Sequence, residues 1–352
     1  MTDAETMEER FPRSPEDVGE GGSRDGMTGR STASCVLLAD IGGTNSRFAL
    51  MEAGEIGPVS YAKVADFPTV RDAMAAFLAQ TPRGRRVGTA VLAVAGPLVN
   101  DRCVMTNSPW IIDGPELRAA FGLDAVHMLN DFEAQAWALP ALRPADLFAL
   151  GAQSATKGEP MLVLGPGTGF GVSCLVERRG ARLAVITEAG HATLPAESDR
   201  EERVIAAMRR HLGHVSIERG ALSGAGLETL YLAIAEVDGV QPPPRDAAGI
   251  TKAALDGSCA LSRATLEMFC AILGSVAGNL AVTFCARGGV YIAGGIVPRF
   301  PDFLAASDFR TRFEAKGRFH DYLRVIPTSV IVKPDGSFLG LKSFADHTVS
   351  AI

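Results

Sequence analysis

Basic charge is the first thing this chain is short of. Its 352 residues carry 34 Lys and Arg against 40 Asp and Glu, a formal net charge of −6. That balance supplies no electrostatic footprint for nucleic acid or an anionic membrane, so neither is expected as a partner. Clustered cysteine is missing too. The six (Cys35, Cys103, Cys174, Cys259, Cys270, Cys285) are scattered, five of them in apolar runs, as buried reduced thiols of a cytoplasmic protein would be. Long apolar runs are scarce. Met268 to Cys285 is 18 residues without a charge, the lower limit for a membrane span. It contains Gly274, Ser275, Gly278 and Asn279, continues a helical pattern from Leu261 through Arg263 and Glu267, and has no second segment to pair with in a bilayer. A central helix buried among neighbours is expected instead. No tandem repeat of solenoid length is visible.

The start of the chain has no apolar stretch either. Met1 to Arg30 holds eight acids and four Arg, a net −4, with Gly, Ser and Pro between them. Residues 1–33 therefore read as a disordered acidic tail and not as a signal peptide, with Met27 an alternative start. The rest, in a chain that is 47% apolar, is long enough for two domains with sizeable cores.

Against these absences stand two glycine-rich segments of similar build. Ala39-Asp40-Ile41-Gly42-Gly43-Thr44-Asn45-Ser46-Arg47 and Leu164-Gly165-Pro166-Gly167-Thr168-Gly169-Phe170-Gly171 each lie between two short apolar runs. The order strand, glycine loop, strand places each loop at the tip of a hairpin. Glycine lets backbone N–H groups converge on an anion without a Cβ in the way, and Thr44 or Thr168 adds a hydroxyl donor. One such tip alone reads as an ordinary turn; two suggest a polyphosphate gripped from both sides. Neither loop carries the Lys of a P-loop, and neither opens a helix as the dinucleotide fingerprint does.

Strands are expected near 35–39, 48–51, 59–65 and 87–95, with a helix near 69–80. The run Val87 to Ala95 is apolar enough for a strand covered on both faces. Another strand, Ala125 to Leu129, ends at Asn130-Asp131, and a helix follows from Phe132 to Pro140. A second α/β unit starts near 160. Its helices are expected at 199–212 (Asp199 and Glu202 as a capping box, Gly213 just past the end), 225–237 capped by Ser223, and 261–287. Gly239 to Gly249, with Pro242-Pro243-Pro244, reads as a stiff connection. A strand at Gly289 to Ala293 and a short helix at Phe338 to Ala345 complete the pattern. The paired hairpins at 35–51 and 161–176 hint at two related halves with a ligand in the cleft between them.

Three places carry candidate chemistry. Asn130-Asp131 stands where a strand gives way to a helix, the end of an open α/β sheet at which ligands bind. A carboxylate there could take a proton from a hydroxyl, while the Asn amide reads sugar hydroxyls. Asn130 with Glu133 is equally an N-cap arrangement, and for Asn130-Asp131 taken alone capping is the stronger reading. Glu188-Ala189-Gly190-His191 sets an acid and an imidazole three apart, suited to vicinal hydroxyls; zinc is weakly supported, for want of a third ligand. Glu218-Arg219 adds a carboxylate, by itself an ordinary solvated charge pair.

Taken in order, these segments resemble the bacterial glucokinases, members of the hexokinase, actin and heat-shock-chaperone class of ATPases. The resemblance spans about 35–350 and adds Met105-Thr106-Asn107, Leu222-Ser223-Gly224 and Gly294-Gly295-Ile296-Val297-Pro298-Arg299-Phe300 to the segments above. It implies two α/β domains of the ribonuclease H-like, actin-like ATPase fold with the active site in the cleft between them: a small domain of 34–140 plus 335–352 and a large one of 141–334. It implies ATP with Mg²⁺ as cofactors, glucose as substrate, phosphorylation at the 6-hydroxyl, and a cytoplasmic homodimer. Asp131 is implied as the general base, with Asn130, Glu188, His191 and Glu218 as further hexose contacts. Gly42, Gly43, Thr44 and Asn45 form one implied phosphate grip, and Gly165, Gly167, Thr168 and Gly169 the other. Asp40 is the implied indirect partner of Mg²⁺, no residue binding the metal directly, and Gly294 and Gly295 meet adenosine. Ala189 departs from the family pattern, where Gly is more usual. A kinase for another hexose stays open as an alternative. The related repressor-and-kinase sugar family is disfavoured, because no Cys follows His191 until Cys259 and no helix-turn-helix precedes the first strand. A non-catalytic sugar sensor would have lost the base or a phosphate loop, and both are present.

Overall fold

The apolar runs at 35–39 and 87–95 become the two central strands of a sheet, because both of their faces are covered. The computed structural model describes residues 34–81, 85–105, 108–151 and 155–348. The expected acidic tail (1–33) and Thr106-Asn107 lie outside the described residues.

The first part of the chain contributes β1 (Ser34–Ile41), β2 (Asn45–Glu52), β3 (Glu55–Ile56), β4 (Ser60–Lys63), α1 (Val70–Ala79) and β5 (Arg86–Val94). Three short strands follow, β6 (Leu98–Val99), β7 (Arg102–Val104) and β8 (Ile111–Asp113), then α2 (Gly114–Phe121), β9 (Ala125–Asn130) and α3 (Asp131–Ala138). The sheet runs β3-β2-β1-β5-β9, with β4 also on β2. β1, β5 and β9 are parallel and β2 is antiparallel to β1. Strand β1 splits its side chains by parity. Cys35, Leu37, Ala39 and Ile41 join a core with Met74, Trp110 and Ile112, while Val36 and Leu38 face the opposite side.

The second part contributes β10 (Leu147–Ala149), β11 (Met161–Pro166), β12 (Phe170–Arg178), β13 (Ala181–Thr187), α4 (Asp199–Leu212), α5 (Ile217–Gly220) and α6 (Gly224–Asp238). It continues with α7 (Ala247–Leu255), α8 (Ala260–Phe284), β14 (Val290–Ile292), α9 (Pro301–Ala306), α10 (Phe309–Glu314), α11 (His320–Arg324), β15 (Thr328–Ile331) and α12 (Ser337–Thr348). Its sheet runs β10-β15-β14-β11-β12-β13. The long uncharged segment lies in α8, which is long and apolar enough to cross a membrane by length and composition; 72% of its most apolar window is buried within the fold.

Helices α3 and α12 fill the layer between the two sheets. Val36, Leu38, Val91 and Leu129 of the first sheet share one core with Ala134 and Trp137 of α3, Phe338 and Leu341 of α12, and Val163, Leu175 and Tyr291 of the second sheet. Glycine makes the close approach possible, since a Cβ on Gly340 would fall 1.7 Å from the Ala134 carbonyl oxygen.

Local details differ from expectation in three places. The N-cap of α4 is Ser198, which accepts from the Glu201 N–H, and not Asp199 with Glu202. Within the stretch read as a stiff connection, Asp246 accepts from the Gly249 N–H and starts α7. The strand expected over 59–65 stops at Lys63 in a turn of 3₁₀ helix.

Candidate active site

Both glycine loops are hairpin tips, as their sequences predict. β1 and β2 pair up to Ile41 and Ser46, and the Gly42 N–H donates to the Asn45 carbonyl at 3.0 Å to close the turn. β11 and β12 pair up to Pro166 and Phe170, with the Gly167 N–H on the Gly169 carbonyl at 2.8 Å. Thr44, Asn45 and Thr168 are exposed at these tips. Gly294 and Gly295 dock against the second tip. Gly294 has φ +86°, and a Cβ there would lie 2.3 Å from the Pro166 carbonyl oxygen. A Cβ on Gly165 would lie 2.5 Å from the carbonyl of Ala293. The second glycine loop and Gly294 thus pack so closely that a Cβ at Gly165 or Gly294 would meet backbone.

The first residues of β12 gather the candidate sugar contacts. Glu218, half-buried, accepts from the Phe170 N–H at 3.1 Å and lies against Gly169. Glu188 and His191 are exposed and 3.7 Å apart in a turn whose Gly190 passes under the Phe170 carbonyl. Asn130 and Asp131 arrive from the other side: the ring of Phe132 occupies the space that a Cβ on Gly171 would need, 1.9 Å away. Asn130 does cap α3, accepting from the Phe132 N–H at 2.9 Å while Glu133 accepts from the Asn130 N–H at 3.3 Å. Capping uses the side-chain oxygen of Asn130, leaving its amide N–H₂ to donate to a ligand, so the two readings of this residue are compatible.

Asp40 and Asp131 sit at neighbouring carboxyl ends of the first sheet. Asp40 is opposite Ala93, and Asn130 opposite Val94, with β5 between them, so the strand ends are about 10 Å apart by two strand spacings. Burial pushes the Asp131 carboxyl up to about 6, and the Asp40 charge adds to the rise. Three backbone and side-chain hydrogen bonds, from Phe132, Asp131 and Asn130, oppose it. Burial also raises Asp40, held back by the Arg47 guanidinium 2.7 Å away and by the Ser337 hydroxyl, which donates to the same carboxylate oxygen. Arg47 reaches on to Asp335 at 2.9 Å, and Tyr61 donates to Asp335 as well. Sequence reasoning missed the roles of Tyr61, Asp335 and Ser337. Only Arg47 lay within a motif, and its partner Asp335 is 288 positions away.

A pocket of about 520 Å³ opens beside this unit, lined by Leu227, Ala247, Thr251, Lys252, Ile296 and Arg299 among others. Ile296 of its lining donates its N–H to the Pro166 carbonyl at 3.3 Å, so the pocket adjoins the second glycine loop. Its size is within the range of small-molecule sites. Half of its wall is α7, the helix that the proline-rich stretch concealed.

Comparison with known proteins decides the family. A family model described as Glucokinase matches residues 37–348. The chain belongs to the glucokinase family. Similar curated members include the glucokinase of Nitrobacter hamburgensis, 42% identical over 89% of this chain and 98% of that protein. The glucokinase of Paramagnetospirillum magneticum is 45% identical over 87% of this chain and 96% of that one. Among solved structures, a glucokinase from an Antarctic psychrotroph aligns with a TM-score of 0.81 at 35% identity, covering 88% of this chain and 98% of that chain. The glucokinase family has the actin-like ATPase fold, two α/β lobes, as the sequence resemblance implies.

Proposed function

We infer that this enzyme transfers the γ-phosphoryl group of ATP to the 6-hydroxyl of glucose, with Asp131 as general base. One observation carries the assignment of roles: Phe132, next to Asp131, packs on Gly171, two residues past the phosphate loop 165–169. The base and the phosphate grip are thereby held on one rigid contact.

Nucleotide would enter along the pocket, its base against α7 and Ile296 and its adenosine over Gly294 and Gly295. The amides of Gly43, Thr44, Thr168 and Gly169 then meet the phosphates from two sides, with Gly42, Asn45, Gly165 and Gly167 shaping the turns. Asn130, Glu188, His191 and Glu218 bind the hexose hydroxyls, and Asp131 takes the 6-hydroxyl proton as the bond to phosphorus forms. Phosphoryl transfer needs positioning and charge neutralisation more than covalent chemistry, which suits a site made of loops and carboxylates.

Mg²⁺ fits the donor set. Asp40 is a buried carboxylate at the mouth of the first loop, and among the described residues no three His, Cys, Asp or Glu side chains form a cage that would hold a metal alone. Asp40 would hold the ion indirectly, and the ion when bound neutralises charge on the β- and γ-phosphates. Glucose binding would draw the small domain (34–140 with 335–352) onto the large one (141–334) and exclude water, the competing acceptor. The resemblance further supports a cytoplasmic homodimer, which sedimentation tests.

The deciding assay is purified protein with ATP, Mg²⁺ and a panel of hexoses, the product identified as the 6-phosphate by ³¹P NMR. No transfer to any hexose would defeat the reading. The base pocket is tested by Thr251→Trp, which narrows it; KM for ATP should rise at least about tenfold and KM for glucose hold.

A further inference from the structure

Away from the phosphate loops, several polar groups converge on one thiol. Cys259 is half-buried at the N-cap position of α8, where its side chain makes no hydrogen bond to the helix N–H groups. Ser262, one turn in, is fully buried and its hydroxyl has no partner. Buried helical hydroxyls ordinarily bond back to the carbonyl four residues earlier. Thr265 and Ser275 of the same helix do so, at 2.8 and 3.2 Å. Ser262, at the third position of the helix, has no helical carbonyl four residues back, and it stands beside the Cys259 sulfur. Arg245 presents a buried Nε that is also without a partner. Its guanidinium stands near both Cys259 and the hydroxyl of Tyr231, which donates to the Pro243 carbonyl at 3.1 Å. Among the described residues four buried side-chain atoms lack partners, and two of them surround this cysteine.

A neutral thiol is only a weak acceptor for these donors, whereas a thiolate would accept strongly from the Ser262 hydroxyl and from the N–H groups of Ser262 and Leu261. Those contacts, with a smaller contribution from Arg245, hold the Cys259 thiol below its ordinary value despite its burial. The other cysteines differ. Burial pushes Cys35 and Cys174 up to about 11 and Cys270 to about 12, and raises Cys103. Cys285 is exposed, its thiol donates to the Val282 carbonyl at 3.8 Å, and the Tyr322 side chain stands beside it.

We propose that Cys259 is a modification site that exchanges with small disulfides, and that the adduct weakens nucleotide binding through α7. The Cys259 thiolate attacks one sulfur of the disulfide. A new S–S bond forms as the old one breaks, and the released half leaves with the electron pair and takes a proton from water. Cys259 is oxidised, the departing thiol is reduced, and excess thiol reverses the step. The link to the pocket is short. Arg245 precedes the α7 cap Asp246, and Asp256, which accepts from the Ser258 N–H at 2.9 Å, ends the same helix. An adduct at 259 displaces Arg245 and the 256–258 turn, and with them the wall formed by Ala247, Thr251 and Lys252. This second step rests on the reading of the pocket as the nucleotide-base site.

The test treats the full-length protein with oxidised glutathione, maps the adduct by peptide mass spectrometry, and measures KM for ATP and for glucose before and after. One adduct at Cys259, an ATP KM raised several-fold, an unchanged glucose KM and reversal by dithiothreitol are expected. Cys259→Ser should keep its ATP KM under the same treatment, and Ser262→Ala should exchange several-fold more slowly. An adduct that forms at Cys285 as fast as at Cys259, or a Ser262→Ala rate equal to wild type, overturns the site. An adduct at Cys259 with ATP KM unmoved overturns the coupling. Thr251→Trp separates that failure from a wrong pocket, because it changes ATP KM only if the pocket holds the base.

Discussion

The buried carboxylate of Asp40 is the charge that, after burial itself, holds the Asp131 carboxyl near 6. The two acids end strands separated by one strand, so the proposed base and the proposed metal partner discourage each other's ionisation. On the proposed reading, a bound dication would relieve that conflict and tie the readiness of Asp131 to the presence of the metal–nucleotide complex.

Asp131→Asn keeps size and one hydrogen-bond acceptor but cannot take a proton. kcat should fall about 10²–10⁴-fold, with KM for glucose changing much less. The variant should also be more stable at neutral pH. The folded carboxyl titrates above the unfolded value near 3.9, so protonation favours the fold. That contribution is fully present below about 4 and lost as pH rises through about 6. Wild type therefore carries a cost of about 2 kcal/mol above pH 6, from a shift of about two units discounted for solvent reaching the group. Thermal unfolding should show Asp131→Asn ahead by a few degrees at pH 7.5 and level with wild type at pH 4. A variant that retains a tenth of wild-type kcat would reduce Asp131 to a helix-capping residue.

Activity follows the same group. kcat/KM should be flat above about pH 7 and fall about tenfold per unit below about 6, because the protonated carboxyl cannot accept the hydroxyl proton. An acid limb near pH 4, the ordinary carboxylate range, would show that burial does not govern the base.

Two glycines separate packing from catalysis. In Gly340→Ala the new Cβ meets backbone, the Ala134 carbonyl at 1.7 Å, so α12 must move away from α3. Destabilisation by about 3 kcal/mol or more is expected, measured by urea unfolding. In Gly171→Ala the obstacle is the Phe132 ring at 1.9 Å, a side chain beside Asp131. That substitution should lower kcat by at least about tenfold, since a shift of about 1 Å in a catalytic group is costly. Equal kcat in Gly171→Ala and wild type would break the proposed link between the base and the phosphate loop.

Much of this architecture was legible because its determinants are local. Apolar runs between glycines marked both hairpins, and Asn130 with Glu133 marked the start of α3. α7 was hidden because Pro242-Pro243-Pro244 and Gly249 dominate its approach, while the Asp246 cap that starts it is a single side chain. The Tyr61–Asp335–Arg47–Asp40–Ser337 chain was illegible for a different reason. Its members come from β4, the turn before α12, β2, β1 and the first residue of α12, and no local pattern relates positions 47 and 335. The exposed pair Glu188 and His191 had a local signature, and among the described residues their side chains meet each other at 3.7 Å.

Arg47→Met tests that long-range chain. It leaves buried Asp40 with Ser337 alone and releases Asp335 to Tyr61. Loss of a fully buried pair member costs about 3–5 kcal/mol; with Arg47 31% exposed, about 2 kcal/mol is expected. More Mg²⁺ should be needed for half-maximal activity, because Asp40 loses the group that orients it. Unchanged Mg²⁺ dependence together with unchanged stability would remove Arg47 from the site.

Discrimination among hexoses tests the sugar contacts themselves. Glu188, His191 and Glu218 are ionisable and Asn130 carries an amide N–H₂ donor, so each can be matched by a correctly placed hydroxyl. When a hydroxyl is inverted, the group that should have met it is desolvated without a partner, which costs about 1–3 kcal/mol for a charged group. At about 1.4 kcal/mol per factor of ten, one mismatch lowers kcat/KM by roughly 5- to 150-fold. Galactose and mannose should both fall in that range relative to glucose in the coupled assay. Glu188→Gln and His191→Ala should raise KM for glucose while kcat persists, since neither is assigned to proton transfer. The two should also be less than additive, because their side chains lie 3.7 Å apart and share a ligand edge. Mannose or fructose turning over as well as glucose would leave a hexokinase and remove the preference for glucose.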